Sequence, residues 1–320
     1  MSKVSIVIPA YNCSQYITEA VESVMKQTYT DLEILVIDDG SKDNIKQVLD
    51  SYILRGDVKY IYQENQGPGA ARNTGIKYAT GKHIAFLDAD DTFTENSIEK
   101  RMDLITYDLD VGLVFSNYYY QSKESQAEEI NFQSDFFKNK SYYKMRTTPF
   151  GFVFDGQYKN IFEIPFKIHT GTVLVKKEVF IKSGFFRTDI FIAEDRDMWL
   201  RIANYFKLGY VNQPLAYYKR YRSSLTVNDP LKYGRDRITF HYNLMKIYKK
   251  DKNINTFLKK RLALIYYDIA SYFYKGNQRM RSLENIMKCI FYNPTRIHYY
   301  EFFLSILFPK YLRIKLRKKR

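Results

Sequence analysis

The chain predicts an α/β fold, a mostly parallel sheet with helices on both faces, followed by a helical C-terminal region. Short apolar runs alternate with amphipathic segments over the first hundred or so residues, the runs end in Pro, Gly or carboxylates, and the last third reads as successive helices. Val4-Ser5-Ile6-Val7-Ile8-Pro9-Ala10-Tyr11-Asn12 is a strand-like run ended by Pro. Ile17, Val21, Val24 and Met25 then follow at helical spacing. Residues 32–37 form a second run that ends in Asp38-Asp39-Gly40-Ser41, and residues 58–62 form a third. After Asn65-Gln66-Gly67-Pro68-Gly69-Ala70-Ala71-Arg72-Asn73-Thr74-Gly75 comes a fourth strand, residues 83–87, then Asp88-Ala89-Asp90-Asp91 and a helix over 95–107. Strand and helix recur at the intervals of βαβ units, whose ligand crevice lies beyond the carboxyl ends of the strands. Residues 9–12, 38–41 and 88–91 all fall at such ends, so one crevice collects them.

The cluster at 88–91 carries the chemistry. Unpaired buried charge costs several kcal/mol, so carboxylates at the end of a buried strand need a cation or a polar ligand. Hard divalent ions such as Mg²⁺ take one or two carboxylates and leave other positions to water and phosphate oxygens, which points to a phosphate-bearing substrate. The plainer alternative is a solvated loop capping the following helix through Asp91 or Thr92. Gly67, Pro68 and Gly69 supply a turn that admits close backbone approach, but neither a Walker pattern nor G-x-G-x-x-G is present.

In the second half, residues 170–175 read as a strand, 178–183 as a short helix and 184–187 as a loop. Ala193-Glu194-Asp195-Arg196-Asp197 then opens a helix with acids in its first turn, where the helix dipole favours them. Trp199, the only Trp, fits the core better than a ligand platform, given its spacing to Ile202. Residues 121–166 lose βαβ regularity and read as an insertion facing a second substrate. Two cysteines, Cys13 and Cys289, form no framework, and four histidines argue against a His-rich zinc site. No signal peptide is visible, and Met1-Ser2-Lys3 runs directly into the first strand, so a cytoplasmic location is expected.

Net charge is +15, unevenly spread. Residues 1–226 carry 28 Lys+Arg against 29 Asp+Glu, whereas residues 227–320 carry 22 against 6. A nonenzymatic nucleic-acid-binding protein, suggested by the basic balance, is disfavoured because the charge is confined to the tail and no nucleic-acid motif is present. The tail reads as helices over 235–250, 254–275, 279–291 and 295–320. In the last, Leu304, Leu307, Phe308, Tyr311 and Leu312 form an apolar stripe beside Lys310, Arg313, Lys315 and Arg317 through Arg320. Glu301 and Lys310 interrupt any spanning run, so the stripe suits an anionic membrane surface, with packing against another subunit, a homo-oligomer, as the alternative.

Residues 9–12, 38–41, 69–75 and 88–91, in this order and spacing, resemble the nucleotide-sugar-binding half of family-2 glycosyltransferases with their GT-A fold. The resemblance covers residues 3–120 closely and 168–226 more loosely. It implies a GT-A domain over 1–226, with 1–120 as the nucleotide-sugar half and 121–226 as the acceptor half, and a basic helical region over 227–320. It also implies roles. Pro9, Ala10, Tyr11 and Asn12 would border the nucleobase, and Asp39, next to Asp38, would accept a hydrogen bond from a uracil N–H. Gly69, Arg72 and Asn73 would face the diphosphate or base. Asp88 and Ala89 would lie on the ribose or base side, and Asp90 would hold Mn²⁺ or Mg²⁺ on the two phosphates. Asp91 would be a supporting contact, the roles of Asp90 and Asp91 being exchangeable. Glu194-Asp195 resembles the family's Glu-Asp pair, with Asp195 as general base. Relatives often carry a His near position 221, where this chain has Tyr221, which leaves a third protein ligand to the metal in question. Arg220, Arg222 and Ser224 are candidates for a segment closing over the diphosphate, a solvated basic loop being the alternative.

The expectation is therefore inverting transfer of a sugar from a UDP-sugar to a hydroxyl of a glycan or lipid-linked saccharide. Its setting would be surface-polysaccharide assembly at the inner face of the cell membrane. A sugar nucleotidyltransferase would instead open with a Gly-rich phosphate loop after the first strand, where this chain has Pro9-Ala10-Tyr11-Asn12.

Overall fold

The computed structural model describes residues 2–122, 126–130, 143–155, 164, 168–190, 193–220 and 230–308. The chain divides into two compact units, Met1–Arg222 and Ser223–Arg320. The first begins with alternating strands and helices: β1 Val4–Ala10, α1 Ile17–Met25, β2 Leu32–Asp39, α2 Ile45–Leu54, β3 Val58–Gln63, α3 Pro68–Tyr78 and β4 His83–Phe86. It continues through β5 Thr92–Phe93, α4 Ser97–Tyr107, β6 Val111–Ser122, β7 Glu128–Ile130, β8 Met145–Thr148 and β9 Gly151–Phe154. A 3-10 turn at Thr170–Thr172, β10 Leu174–Lys176, α5 Val179–Ser183, α6 Glu194–Ala203 and β11 Lys207–Arg220 complete it.

One sheet runs in the order β3-β2-β1-β4-β10-β6-β11-β9-β8, with β5 on β11 and β7 on β6. The first four strands are parallel, and so are β6 and β11; the other pairings are antiparallel, so the sheet is mixed. Strand alternation sends Val4, Ile6 and Ile8 to a core layer under α1, α2 and α4, and Val7 to the opposite layer under α3, α5 and α6. Gly75 lets α3 lie close on that second face, since a Cβ there would sit 2.2 Å from Val7 Cγ1. The strand order reverses between β1 and β4, where open α/β sheets bind ligands.

Several expectations shift. Residues 170–175 form a 3-10 turn before a strand that starts only at Leu174. His169 Nδ1 accepts from Gly171 N, and Thr172 Oγ1 donates to His169 O, local bonds that compete with a ladder. Met25 is exposed while Ile17, Ala20, Val21 and Val24 are buried. The long strands β6 and β11 were not assigned from the apolar runs, and residues 121–166, read as irregular, contribute β7, β8 and β9. Trp199 is fully buried against Phe86 and Phe186, as core.

The second unit is helical: α7 Pro230–Ile247, α8 Lys252–Lys275, α9 Arg279–Tyr292 and α10 Ile297–Leu307. Leu262, Tyr266, Ile286, Cys289, Tyr299 and Ile306 form its core. The last helix ends at Leu307; the expected continuation over 309–320 lies outside the described residues. Among the described residues no helix is long and apolar enough to cross a membrane.

Candidate active site

The expected strand ends do meet. Asn12, at the end of β1, holds a left-handed backbone (φ 50°), and two bonds tie it to the end of β2: Asn12 N donates to Ser41 Oγ (3.0 Å) and Lys42 N to Asn12 Oδ1 (2.8 Å). Tyr11 is exposed beside it, its ring available for stacking. Asp38 is buried, accepting from Ser41 N and from the Tyr60 hydroxyl. Asp39 is also buried; its carboxylate accepts from Gln63 Nε2 (2.7 Å), Gln66 N (3.0 Å) and Gly67 N (2.8 Å). Three of its roughly four acceptor positions are thus taken within the protein.

Arg72 is nearly fully buried and forms two ion pairs, Nη2 to Asp88 Oδ1 (2.8 Å) and Nη1 to Glu194 Oε1 (2.7 Å). The two carboxylates hold its guanidinium charged, pushing its pKa up against the opposing effect of burial. From α3 it holds Asp88 at the end of β4 and, 122 residues away in sequence, Glu194 at the start of α6, instead of projecting freely into the crevice. Asn73 is also committed: its amide gives and takes one bond each with the Phe186 backbone. Gly69 allows this approach, since a Cβ there would meet Arg187 O at 2.8 Å.

Asp88, Asp91 and His169 can each offer a ligand atom within 4.8 Å of the others, and Asp90 is not part of this group. Asp91 is 1% exposed; its Oδ1 accepts from Lys219 N of β11 (3.0 Å), but its Oδ2 has no hydrogen-bond partner among the described residues. His169 Nε2 lies 3.8 Å from that oxygen. Burial pushes the Asp91 carboxyl well above its ordinary range, helped by Asp88 and Asp90, and pushes Asp90 up to about 6, helped by Asp88. Burial also lowers His169, which keeps the ring neutral. A neutral imidazole and an orphaned carboxylate oxygen beside a second carboxylate make a donor set that fits a hard divalent cation.

Asp195 is half-buried one step away. Thr170 Oγ1 donates to its Oδ2 (3.4 Å), and its Oδ1 accepts from Arg196 N (2.7 Å). Glu194 and Asp195 follow Ala193, which takes a left-handed conformation (φ 70°) of the kind that persists only where surrounding structure over-determines it. Burial raises the Glu194 carboxyl, with Arg72 opposing. The side chain of Arg220, and Tyr221, Arg222 and Ser224 entirely, lie outside the described residues. Sequence reasoning missed His169, the Lys219 amide, and Tyr118 and Tyr218, whose rings lie 5.2 and 4.4 Å from His169. The available signal was His169 immediately before Thr170-Gly171-Thr172, a run whose polar side chains suit a capped turn. A cavity of about 1430 Å³ at the opposite end of the sheet, lined by Ile76, His83, Leu109 and Ile181 among others, holds none of these carboxylates.

Acid-rich strand ends meet at the switch point of a sheet of the GT-A type. The family model for glycosyl transferase family 2 matches residues 5–177, and the chain belongs to that family. A Rickettsia conorii uncharacterized glycosyltransferase is 33% identical over 243 residues, covering 73% of this chain and 35% of that protein. The Escherichia coli chondroitin synthase is 42% identical over 114 residues, 35% of this chain and 17% of the synthase. The chain thus spans about a third of the length of the rickettsial relative and less of the synthase. Staphylococcus aureus TarS, residues 1–349 in complex with UDP-GlcNAc, shares the fold with a TM-score of 0.63, at 16% identity, over 91% of this chain and 81% of that one.

Proposed function

We propose that the chain transfers a sugar from a UDP-sugar to a hydroxyl of a glycan or lipid-linked saccharide, with inversion. The observation that carries this reading is the convergence of Asp88, Asp91 and His169 with Asp195, the last reached through Thr170 beside His169. The UDP-GlcNAc complex of TarS supports a UDP-sugar donor, and the chondroitin synthase relative supports a glycan acceptor. Pro9, Ala10, Tyr11 and Asn12 border the base, and Asp39 uses its remaining acceptor position for a uracil N–H. Asp91, exchanging roles with Asp90, joins Asp88 and His169 as the set that would hold Mn²⁺ or Mg²⁺. When bound, the cation supplies positive charge for the departing diphosphate.

Asp195 takes the proton of the acceptor hydroxyl while the hydroxyl oxygen bonds to the anomeric carbon and the bond from that carbon to the diphosphate breaks. A positioned carboxylate contributes roughly 10²–10⁴-fold in such a step. Arg72 keeps Asp88 and Glu194 in register and reaches the diphosphate only indirectly, through the carboxylates it holds. The setting we favour is surface-polysaccharide assembly at the inner membrane face, with residues 309–320 on anionic lipid. In the test, Asp195→Asn abolishes transfer while UDP affinity, measured by calorimetry, stays within about twofold, because the amide keeps the shape but cannot take a proton. Near-normal turnover in that variant would remove Asp195 from the mechanism.

A further inference from the structure

The sheet carries an aromatic wall beside the carboxylates that the catalytic reading does not use. Leu174 of β10 pairs with Ala85 of β4 on one side and Val114 of β6 on the other, so Ala85 and Val114 lie level. β4 ends one residue later, whereas β6 continues to Ser122 in parallel pairing with β11 through Tyr119–Tyr217, Tyr120–Tyr218 and Gln121–Lys219. At about 3.3 Å per residue, Tyr118 and Tyr120 stand roughly 13 and 20 Å beyond that level, alongside and past Asp88–Asp91.

Alternation places Tyr118 and Tyr120 on one face, and their in-register neighbour Tyr218 shares it. His169 marks the inner end of this wall, 4.4 Å from the Tyr218 ring and 5.2 Å from that of Tyr118. Tyr120 marks the outer end, 5.7 Å from Tyr218 and tilted by 54°. All three tyrosines are half-buried, and Lys219, the residue after Tyr218, donates its backbone N–H to Asp91 Oδ1 (3.0 Å), which brings the inner end of the wall to the candidate cation site. Aromatic rings on a sheet also stabilise it by cross-strand contact, and Tyr119 with Tyr217, stacked at 4.8 Å on the other face, serves that purpose.

We propose that Tyr118, Tyr120 and Tyr218 form the platform for the acceptor sugar, so that the acceptor presents a pyranose ring and not a polyol phosphate or simple lipid alcohol. This rests on the glycosyltransferase reading above. A pyranose has C–H faces that stack on rings and equatorial hydroxyls that reach polar edges; a linear polyol phosphate has no such face. Tyr120 is the informative position, because it is the member of the wall farthest from His169 and belongs to neither the donor nor the cation set.

The test uses the full chain with UDP and Mn²⁺, and saturation-transfer NMR on three probes: methyl β-D-glucopyranoside, methyl N-acetyl-β-D-glucosaminide and glycerol 1-phosphate. The expected result is saturation of the axial C–H protons of at least one pyranoside and none of glycerol 1-phosphate. Tyr120→Ala should weaken the pyranoside about fivefold or more, and Tyr120→Phe should keep it, since one stacked ring contributes on the order of a kcal/mol. UDP affinity should be unchanged in both. Pyranoside binding equal in wild type and Tyr120→Ala, or glycerol 1-phosphate bound in place of the pyranosides, overturns the proposal, as does a wild type that binds UDP but no pyranoside. Failure of the wild type to bind UDP would instead refute the parent reading.

Discussion

Arg72 shows how far a residue's neighbours decide its use. A cation in a nucleotide-binding motif reads as a phosphate contact, yet here its guanidinium is nearly fully buried between Asp88 and Glu194. Removing one partner of a buried ion pair costs about 3–5 kcal/mol, so Arg72→Ala should lower unfolding stability by that order in urea titration. A loss under about 1 kcal/mol would mean that the two carboxylates find other partners. Asp90 gives a prediction with a sign. Its folded pKa is raised from 3.8 to about 6, so below pH 4 folded and unfolded chains are both protonated and the carboxyl is neutral to stability. Between 4 and 6 the unfolded chain releases its proton first and stability falls; above 6 the loss is complete. Asp90→Asn in chelator should therefore be more stable than wild type at pH 8, by at most about 3 kcal/mol, with the gain vanishing near pH 4. An equal effect at both pH values, read by denaturant unfolding, would contradict the assignment.

At the scale of elements, propensity and tertiary contact divide the outcome. The first four strands and α1 follow from apolar runs and helical spacing, because each must bury a face that the pattern itself displays, whereas Pro68 and Gly69, read as part of a turn, open α3. The segment after His169 does not: its β-branched threonines suggest a strand, but side chains that bond the local backbone turn it into a 3-10 step. That step carries His169 to Asp91 and Thr170 to Asp195. Packing of α3 on β1 rests on Gly75. Gly75→Ala should cost about 1–3 kcal/mol by overpacking, despite the better helix propensity of alanine, because its Cβ would collide with Val7. Measured stability equal to or above wild type would show that α3 can lift without cost.

At the scale of the whole chain, charge is the dominant asymmetry: residues 227–320 hold 22 of the 50 Lys and Arg but only 6 of the 35 Asp and Glu. Seven of those basic residues lie in 309–320, after the last described helix. A chain ending at Phe308 retains Tyr299 and Ile306 in the helical core, so it tests those residues without dismantling the unit. Full-length protein should sediment with anionic liposomes and the shortened chain several kcal/mol more weakly, at about 1 kcal/mol per engaged Lys or Arg. Added salt should reduce the difference. Equal sedimentation of both would assign the membrane contact elsewhere or remove it.

Sequence alone determined the family, the order of the βαβ units and the three strand ends that form the crevice. Apolar periodicity and short motifs are local, and local physics suffices to read them. Tertiary structure decided which charges are spent inside the protein and which remain for a ligand. Arg72 and Asn73 are consumed as struts, Asp39 has three acceptor positions filled from within the protein, and Asp91 keeps an oxygen unpartnered among the described residues that His169 approaches from 78 residues away. Such pairings join segments remote in sequence, and only the packed sheet brings their side chains within bonding distance.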